Sequence, residues 1–367
     1  MLANPQAYFE ALPDPRRETK NKLHKLQDII MITLCAELSG VEDWAGKEVF
    51  AQEREEWLRG FLELPHGIPS HDTLSNVMGR LEPQAFSKAF MSWVAEALPS
   101  LAGEHVAVDG KTLRGSRGEV SAVHLISAFA SQAQWVLGQR SVSDKSNEII
   151  AIPDLLSLLE LNGATITIDA MGCQKSIAGQ IVEAGADYVL ALKENHPTLY
   201  ADVSLRLNHQ YAKGALAVVE TLEKDHGRLE TRRYVLDEQL EWLEQRYEWV
   251  GLSAIGMVEA RRECGAKISI ERRYFLCSRA DVEHFAQTVR AHWSIENQQH
   301  WVLDVQFGED RNRARVDHSA ENLALIRRTA LNLIRQNGEP KRSIRGRRLR
   351  AVLNDRYRWQ LLTGQSA

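Results

Sequence analysis

The 367 residues carry 45 Lys and Arg against 49 Asp and Glu, for a formal net charge of −4, and 44% of the chain is apolar. This is ordinary globular composition, long enough for two or three domains, and the overall charge lends no support to nucleic-acid binding. No apolar run reaches the length of a membrane span, and the opening MLANPQAYFEALPDPRRETK lacks the apolar centre of a signal peptide. Cys35, Cys173, Cys264 and Cys277 are scattered without zinc-type pairing, which reads as reduced thiols in a cytoplasmic protein.

Residues 1–100 are expected to form an N-terminal helical domain. NKLHKLQDIIMITLCAELSG has helical apolar spacing and stops at Gly40. EDWAGKEVFAQEREEWLRGFLEL sets a Trp/Phe/Leu stripe against a charged face. In GIPSHDTLSNVMGRLEPQAFSKAFMSWVAEAL, Ser70 or Asp72 caps one helix and Pro83 starts the next. Such short helices suit either a helix-turn-helix that enters DNA or a packing module.

The pattern changes at Glu104. HVAVDG is a short apolar strand ending in Asp109-Gly110, and AVHLISAFAS and QWVLGQRSV are two strands joined by a turn at Ser131 to Gln134. SNEIIAIPDLLSLLEL is helical and stops at Asn162-Gly163. ATITIDAMG is a strand finishing on Asp169, CQKSIAGQIVEAGA a helix and DYVLALKEN a fifth strand. Three strands, helix, strand, helix, strand make a mixed α/β sheet whose first three strands are antiparallel. From about 213 to 280 the chain is strand-rich, with a hairpin turn at Asp225-His226-Gly227, and reads as a β-rich insertion into this α/β domain. VDHSAENLALIRRTALNLIRQNG is an amphipathic helix closing this α/β domain at 101–340, and 341–367 is a basic tail. Six Lys/Arg between Lys341 and Arg350, and the alternating Arg311, Arg313 and Arg315, form the kind of cluster that contacts phosphates.

The stretch from Asp281 to Asp310 is the most informative. At about 100° per residue, Phe285, Val289, His292, Glu296, His300 and Leu303 share one stripe, so a carboxylate is expected to face a core. Burying it unpaired costs several kcal/mol; it needs a cation, a hydrogen-bond network or a metal. Asp109 and Asp169, each ending an apolar strand, supply two further hard oxygen ligands. Three carboxylates on rigid elements can hold a pair of Mg²⁺ ions roughly 3.5–4 Å apart, suited to in-line phosphodiester displacement. Gly110 and Gly172 would let backbone approach a phosphate closely. Singly, each Asp-Gly is more often only a turn.

Five separated segments, VAVDGKTLRGS, TIDAMGCQ, YVLALKENHPTL, KDHGRLETRR and HWSIENQQHWVLDVQFGEDRNRAR, resemble DDE transposases of bacterial insertion sequences, nearest the H-repeat-associated group. The resemblance covers nearly the whole chain. It implies a ribonuclease-H-like catalytic domain with the β-rich insertion, and two divalent cations, Mg²⁺ or Mn²⁺. Asp109, Asp169 and Glu296 become catalytic metal ligands. The implied partners are double-stranded DNA, both the element's inverted repeats and the target, with a dimer in the synaptic complex, acting in the bacterial cytoplasm at the nucleoid. Related transposases often carry Arg and Lys near the glutamate; His292 and Leu303 stand there instead, and His300 or Lys193 would substitute.

Candidate DNA contacts are Lys111, Arg114, Lys193, Asn195, His226, Arg228, His292, Asn297, His300, Arg311 and Arg313. Each has a plainer reading: solvated loop cations for Lys111 and Arg114, a turn for His226 and Arg228, packing for the histidines. Asp304, two turns beyond Glu296, is the rival third ligand, and Trp293 or Trp301 can pack or stack on a base. The alternative functions are a catalytically silent DNA-binding remnant and a nuclease that cuts without joining.

Overall fold

The computed structural model describes residues 4–20, 22–118, 121–142, 148–225, 228–265, 267–339 and 341–364. Six helices come first: α1 Gln6–Phe9, α2 Leu26–Leu38, α3 Trp44–Glu53, α4 Glu55–Arg59, α5 His71–Arg80 and α6 Pro83–Ala97. Their starts follow local chemistry. Asp43 caps α3 by accepting from Gly46 N–H, Ser70 caps α5 through Thr73 N–H, and Pro83 opens α6 behind a Glu82 cap. Gly40, at φ +81°, turns the chain out of α2.

Nine strands then build one sheet: β1 His105–Thr112, β2 His124–Ala130, β3 Trp135–Val142, β4 Thr165–Ile168, β5 Asp187–Leu192, β6 Val218–Asp225, β7 Arg228–Asp237, β8 Ala254–Cys264 and β9 Lys267–Cys277. The order is β3-β2-β1-β4-β5-β9-β8-β7-β6. β1 to β3 pair antiparallel, while β4 and β5 run parallel to β1. Parallel neighbours need crossovers, supplied by α7 Glu148–Leu156 and α8 Lys175–Glu183. This is the ribonuclease-H-like arrangement. The β-rich stretch continues the same sheet, because β9 pairs antiparallel with β5 and covers its open edge.

Three local expectations change. β1 does not stop at Asp109: Asp109, Gly110, Lys111 and Thr112 stay registered against Ser127, Ile126, Leu125 and His124, so the Asp-Gly pair is held in a ladder rather than a turn. α7 ends at Leu156, before Asn162-Gly163, and Gly163 instead takes the positive φ at the turn into β4. A further helix, α9 Pro197–Ala212, follows β5; its apolar stripe of Leu199, Val203 and Leu207 is too narrow to stand out in the sequence. The turn at His226 and Gly227 lies outside the described residues.

After the sheet come α10 Val282–Ser294, a π-helical turn Ile295–His300, α11 Trp301–Phe307, α12 Ser319–Gln336, α13 Ile344–Leu353 and α14 Asp355–Thr363. α12 is buried along most of its length and packs against α2, α5, α6 and β3, so the N-terminal helices and the sheet share a hydrophobic core. The basic tail is partly spent inside the protein. Arg347 donates to Ile334 O at 2.8 Å, and Arg348 to Glu37 O at 2.9 Å and also to Gln306 O. Buried helix-end carbonyls need donors, which long guanidinium side chains provide. Among the described residues, no helix is long and apolar enough to cross a membrane.

Candidate active site

β1 and β4 are parallel neighbours with Val108 opposite Ile168. Asp109 and Asp169 therefore follow matched positions on strands about 4.8 Å apart. Asp169 Oδ1 accepts from Met171 N–H at 3.1 Å, holding the turn after β4. α10 packs across β1, β4 and β5 and delivers Glu296 from the π turn at its end. Asp109, Asp169 and Glu296 line one cleft of about 950 Å³, together with Thr167, Lys193, Asn195, His292, Trp293 and three arginines, Arg262, Arg272 and Arg273.

Glu296 itself is exposed, contrary to the core-facing position expected. Phe285, Val289, His300 and Leu303 of the same stripe are buried, but the π turn adds a residue to the helix between them. Its wider turn changes the helical phase, so Glu296 points to the cleft rim and Gln299 goes inside, where neither of its amide atoms finds a partner. π turns of this kind recur at functional sites.

Burial pushes the Asp109 carboxyl up to about 7, and the fields of Asp169, Glu148 and Glu296 add to the rise against one favourable backbone bond from Gly110. His300 Nδ1 stands 3.6 Å from Asp109, but burial, with help from Lys111, lowers His300 to about 3, so it meets the acid as a neutral ring. Among the described residues, no three His, Cys, Asp or Glu side chains form a group able to hold one ion.

The other candidates divide. Lys193, Asn195 and His292 lie in the cleft, and Asn195 donates to Ala170 O at 2.7 Å, tying the end of β5 to the loop after Asp169. Lys111 is buried and committed to the Asp304 carboxylate, with Asp310 at 3.9 Å; Asp304 is thereby the partner of a lysine. Arg114 is exposed, 3.6 Å from Asp310, and Arg311 is exposed, 3.7 Å from Glu42; Arg313 and Asn297 are also exposed. Arg228 pairs with Glu230 at 3.3 Å. His226 lies outside the described residues. Gly110 and Gly172 make room for protein, not for a phosphate: an added Cβ would sit 2.6 Å from His124 Nε2 and 2.3 Å from Ile168 Cγ2 respectively.

Several cleft residues escaped the sequence reading. Arg262, Arg272 and Arg273 come from β8 and β9, distant in the chain. A buried His124–Glu148 pair, 2.6 Å apart, backs Gly110. His105 bridges Ser131 and Thr167, and strand alternation would have found it, since His105 lies four residues before Asp109 and Thr167 two before Asp169, on matching faces.

The fold is ribonuclease-H-like, with an acidic cleft beside Asp109 of β1 and the end of β4. Residues 101–333 match the family model described as Transposase DDE domain, and residues 6–94 match DDE_Tnp_1-associated. The chain belongs to the DDE transposase family, in its H-repeat-associated group, and is a DNA transposase that depends on divalent metal. It is 50% identical over 76% of its length to the "Uncharacterized protein in dhlA 3'region" of Xanthobacter autotrophicus, covering 95% of that protein. It is 38% identical to the putative transposase YncI of Escherichia coli O157:H7, over 98% of this chain and 94% of that one. With the H repeat-associated putative transposase YhhI of Escherichia coli K12 the identity is 35%, over 97% of both chains.

Proposed function

We propose that Asp109, Asp169 and Glu296 hold two divalent ions, Mg²⁺ or Mn²⁺, and that DNA cleavage and joining take place in their cleft. The observation that carries this reading is the position and state of Asp109. Three acids from widely separated segments share one cleft, and the charges that perturb Asp109 are other carboxylates, Asp169, Glu148 and Glu296. Carboxylates gathered in this way around Asp109 suit a dication. No group of three donors is needed for each ion. Mg²⁺ commonly takes one or two carboxylates and completes its shell with water and phosphate oxygens, so Asp109, Asp169 and Glu296 would suffice to hold the ions between them. When bound, the ions polarise the phosphodiester and stabilise charge on the attacking and leaving oxygens.

The chain's own groups bind and orient. Lys193 and Asn195 flank the acids and receive the backbone of the cut strand. Arg114, Arg311 and Arg313 are exposed beside one another, since the turn at Arg114–Ser116 packs on the turn at Glu309–Arg311, and they track flanking duplex phosphates. Hydrolysis adds water to the phosphorus at an element end and frees a 3′-OH. That hydroxyl attacks a target phosphodiester, forming a new P–O bond to the element's 3′ end and displacing a target 3′-OH, and pairing of two ends in synapsis calls for a dimer.

The test is cleavage of duplex bearing the element's inverted repeat, with Mg²⁺ or Mn²⁺, by wild type, Asp109→Asn and Glu296→Gln. Both substitutions abolish cutting on this reading; undiminished cutting by either removes the assignment. Joining of a pre-cut end to target DNA separates a transposase from a nuclease that stops at cleavage.

A further inference from the structure

The last turn of α10 is fastened to the sheet by a continuous chain of five side chains. Ser294 Oγ lies 2.7 Å from Ser131 Oγ, which lies 2.7 Å from His105 Nδ1. On the far side of the ring, His105 Nε2 lies 2.7 Å from Thr167 Oγ1, and Thr167 Oγ1 lies 2.7 Å from His292 Nδ1. Both ends of the chain, Ser294 and His292, belong to α10; the middle belongs to β1, to the β2–β3 turn and to β4. Asp109, Asp169 and Glu296 sit on or directly after these same elements.

A hydroxyl has one hydrogen to donate. Thr167 stands between two imidazole nitrogens, so it donates to one and accepts from the other, and the tautomers of His105 and His292 are coupled. Burial holds both rings neutral, at about 3 for His105 and about 4 for His292. In one direction His105 Nε2–H donates to Thr167, Thr167 donates to His292 Nδ1, and His292 carries its hydrogen on Nε2. In the other, His292 Nε2 is a bare lone pair. The two tautomers of His292 present opposite functions to the cleft that Thr167 and His292 line.

We propose that the His105–Thr167 relay fixes His292 as an uncharged Nε2–H donor to a non-bridging phosphodiester oxygen in the cleft. An anionic oxygen repels the lone-pair tautomer, so only the first direction is compatible with bound DNA backbone. His292 is then the group that touches substrate, and His105 and Thr167 are positioning residues acting through it. The identity of the ligand as DNA backbone rests on the function proposed above, whereas the relay does not.

The deciding experiment uses full-length protein with ¹⁵N-labelled histidine, its 12 histidines sorted by His105→Gln and His292→Gln variants. Imidazole ¹⁵N spectra near neutral pH are recorded without DNA or metal. His105 and His292 are expected as Nε2–H tautomers in wild type; Thr167→Val, which removes only the hydroxyl, converts His292 to a mixture, and Thr167→Ser restores it. An Nδ1–H tautomer on His292 in wild type, or spectra indifferent to Thr167→Val, overturns the proposal. On end-containing DNA, Thr167→Val is expected to slow cutting roughly ten- to a hundredfold, as loss of an orienting partner does elsewhere, with Thr167→Ser nearly normal. A methylphosphonate scan then finds one phosphate whose neutralisation slows wild type but not His292→Leu. Equal sensitivity of both at every position overturns the phosphate contact. Because the spectra need no catalysis, a wild type that cuts nothing tells against the proposed chemistry, and the relay is still decided.

Discussion

His300 Nδ1 lies 3.6 Å from Asp109 Oδ2, yet burial removes the charges that such a pair usually carries. The ring is held neutral down to about 3 and the acid is lifted to about 7. At pH 8 a full carboxylate therefore faces a neutral imidazole, with two further carboxylates across the cleft. This uncompensated acid has consequences that can be measured without DNA.

The folded pKa of Asp109 is raised from 3.8 to about 7, so its stabilising contribution is complete below the unfolded value and is lost as pH rises through 7. At pH 8 the ionised group costs the fold about 2–3 kcal/mol, allowing for its partial exposure. Asp109→Asn should raise the melting temperature at pH 8 by roughly 5 °C, and the gain should shrink at pH 5. Thermal unfolding at the two pH values checks this; a variant that melts no higher than wild type at pH 8 contradicts it.

Addition of Mn²⁺ should stabilise wild type, by about 2.7 kcal/mol at a hundredfold excess over its dissociation constant. The ion competes with the proton on Asp109, so the shift should be larger at pH 8 than at pH 6. Asp109→Asn and Asp169→Asn should lose it, and chelation should reverse it. An equal Mn²⁺ shift in the Asn variants would place the ion elsewhere.

Two of the candidate DNA-contact cations should behave differently on DNA. Arg313 is exposed, whereas Lys111 is buried against Asp304. Arg313→Ala should reduce the salt slope of DNA binding by about one. Lys111→Met should leave the slope unchanged while lowering stability by a few kcal/mol, since it strands a partly buried acid. Loss of slope on replacing Lys111 would mean that its ion pair opens to phosphate.

Arg348 offers the same contrast in the tail. Its guanidinium serves the carbonyls of Glu37 and Gln306 and stacks 4.0 Å from the Phe307 ring centre. Arg348→Met should cost about 2–4 kcal/mol in denaturant unfolding and leave DNA affinity at fixed folded concentration unaltered. Weaker binding without loss of stability would reverse that reading.

By itself the sequence determined the alternating strands, the helix starts at Ser70 and Pro83, and the three acids as candidates, because these depend on local periodicity and short-range hydrogen bonding. The ladder that carries β1 past Asp109 was not legible, since an Asp-Gly pair becomes a turn or a strand according to what pairs with it. The phase of Glu296 depended on a π turn that no apolar period announces. The arginines of β8 and β9, the His105–Thr167–His292 chain and the bond from Arg348 to the end of α2 arise only when segments from different parts of the chain are brought together. Tertiary structure decided these because burial sets which polar groups must be satisfied, and the partners that satisfy them are chosen by proximity in space.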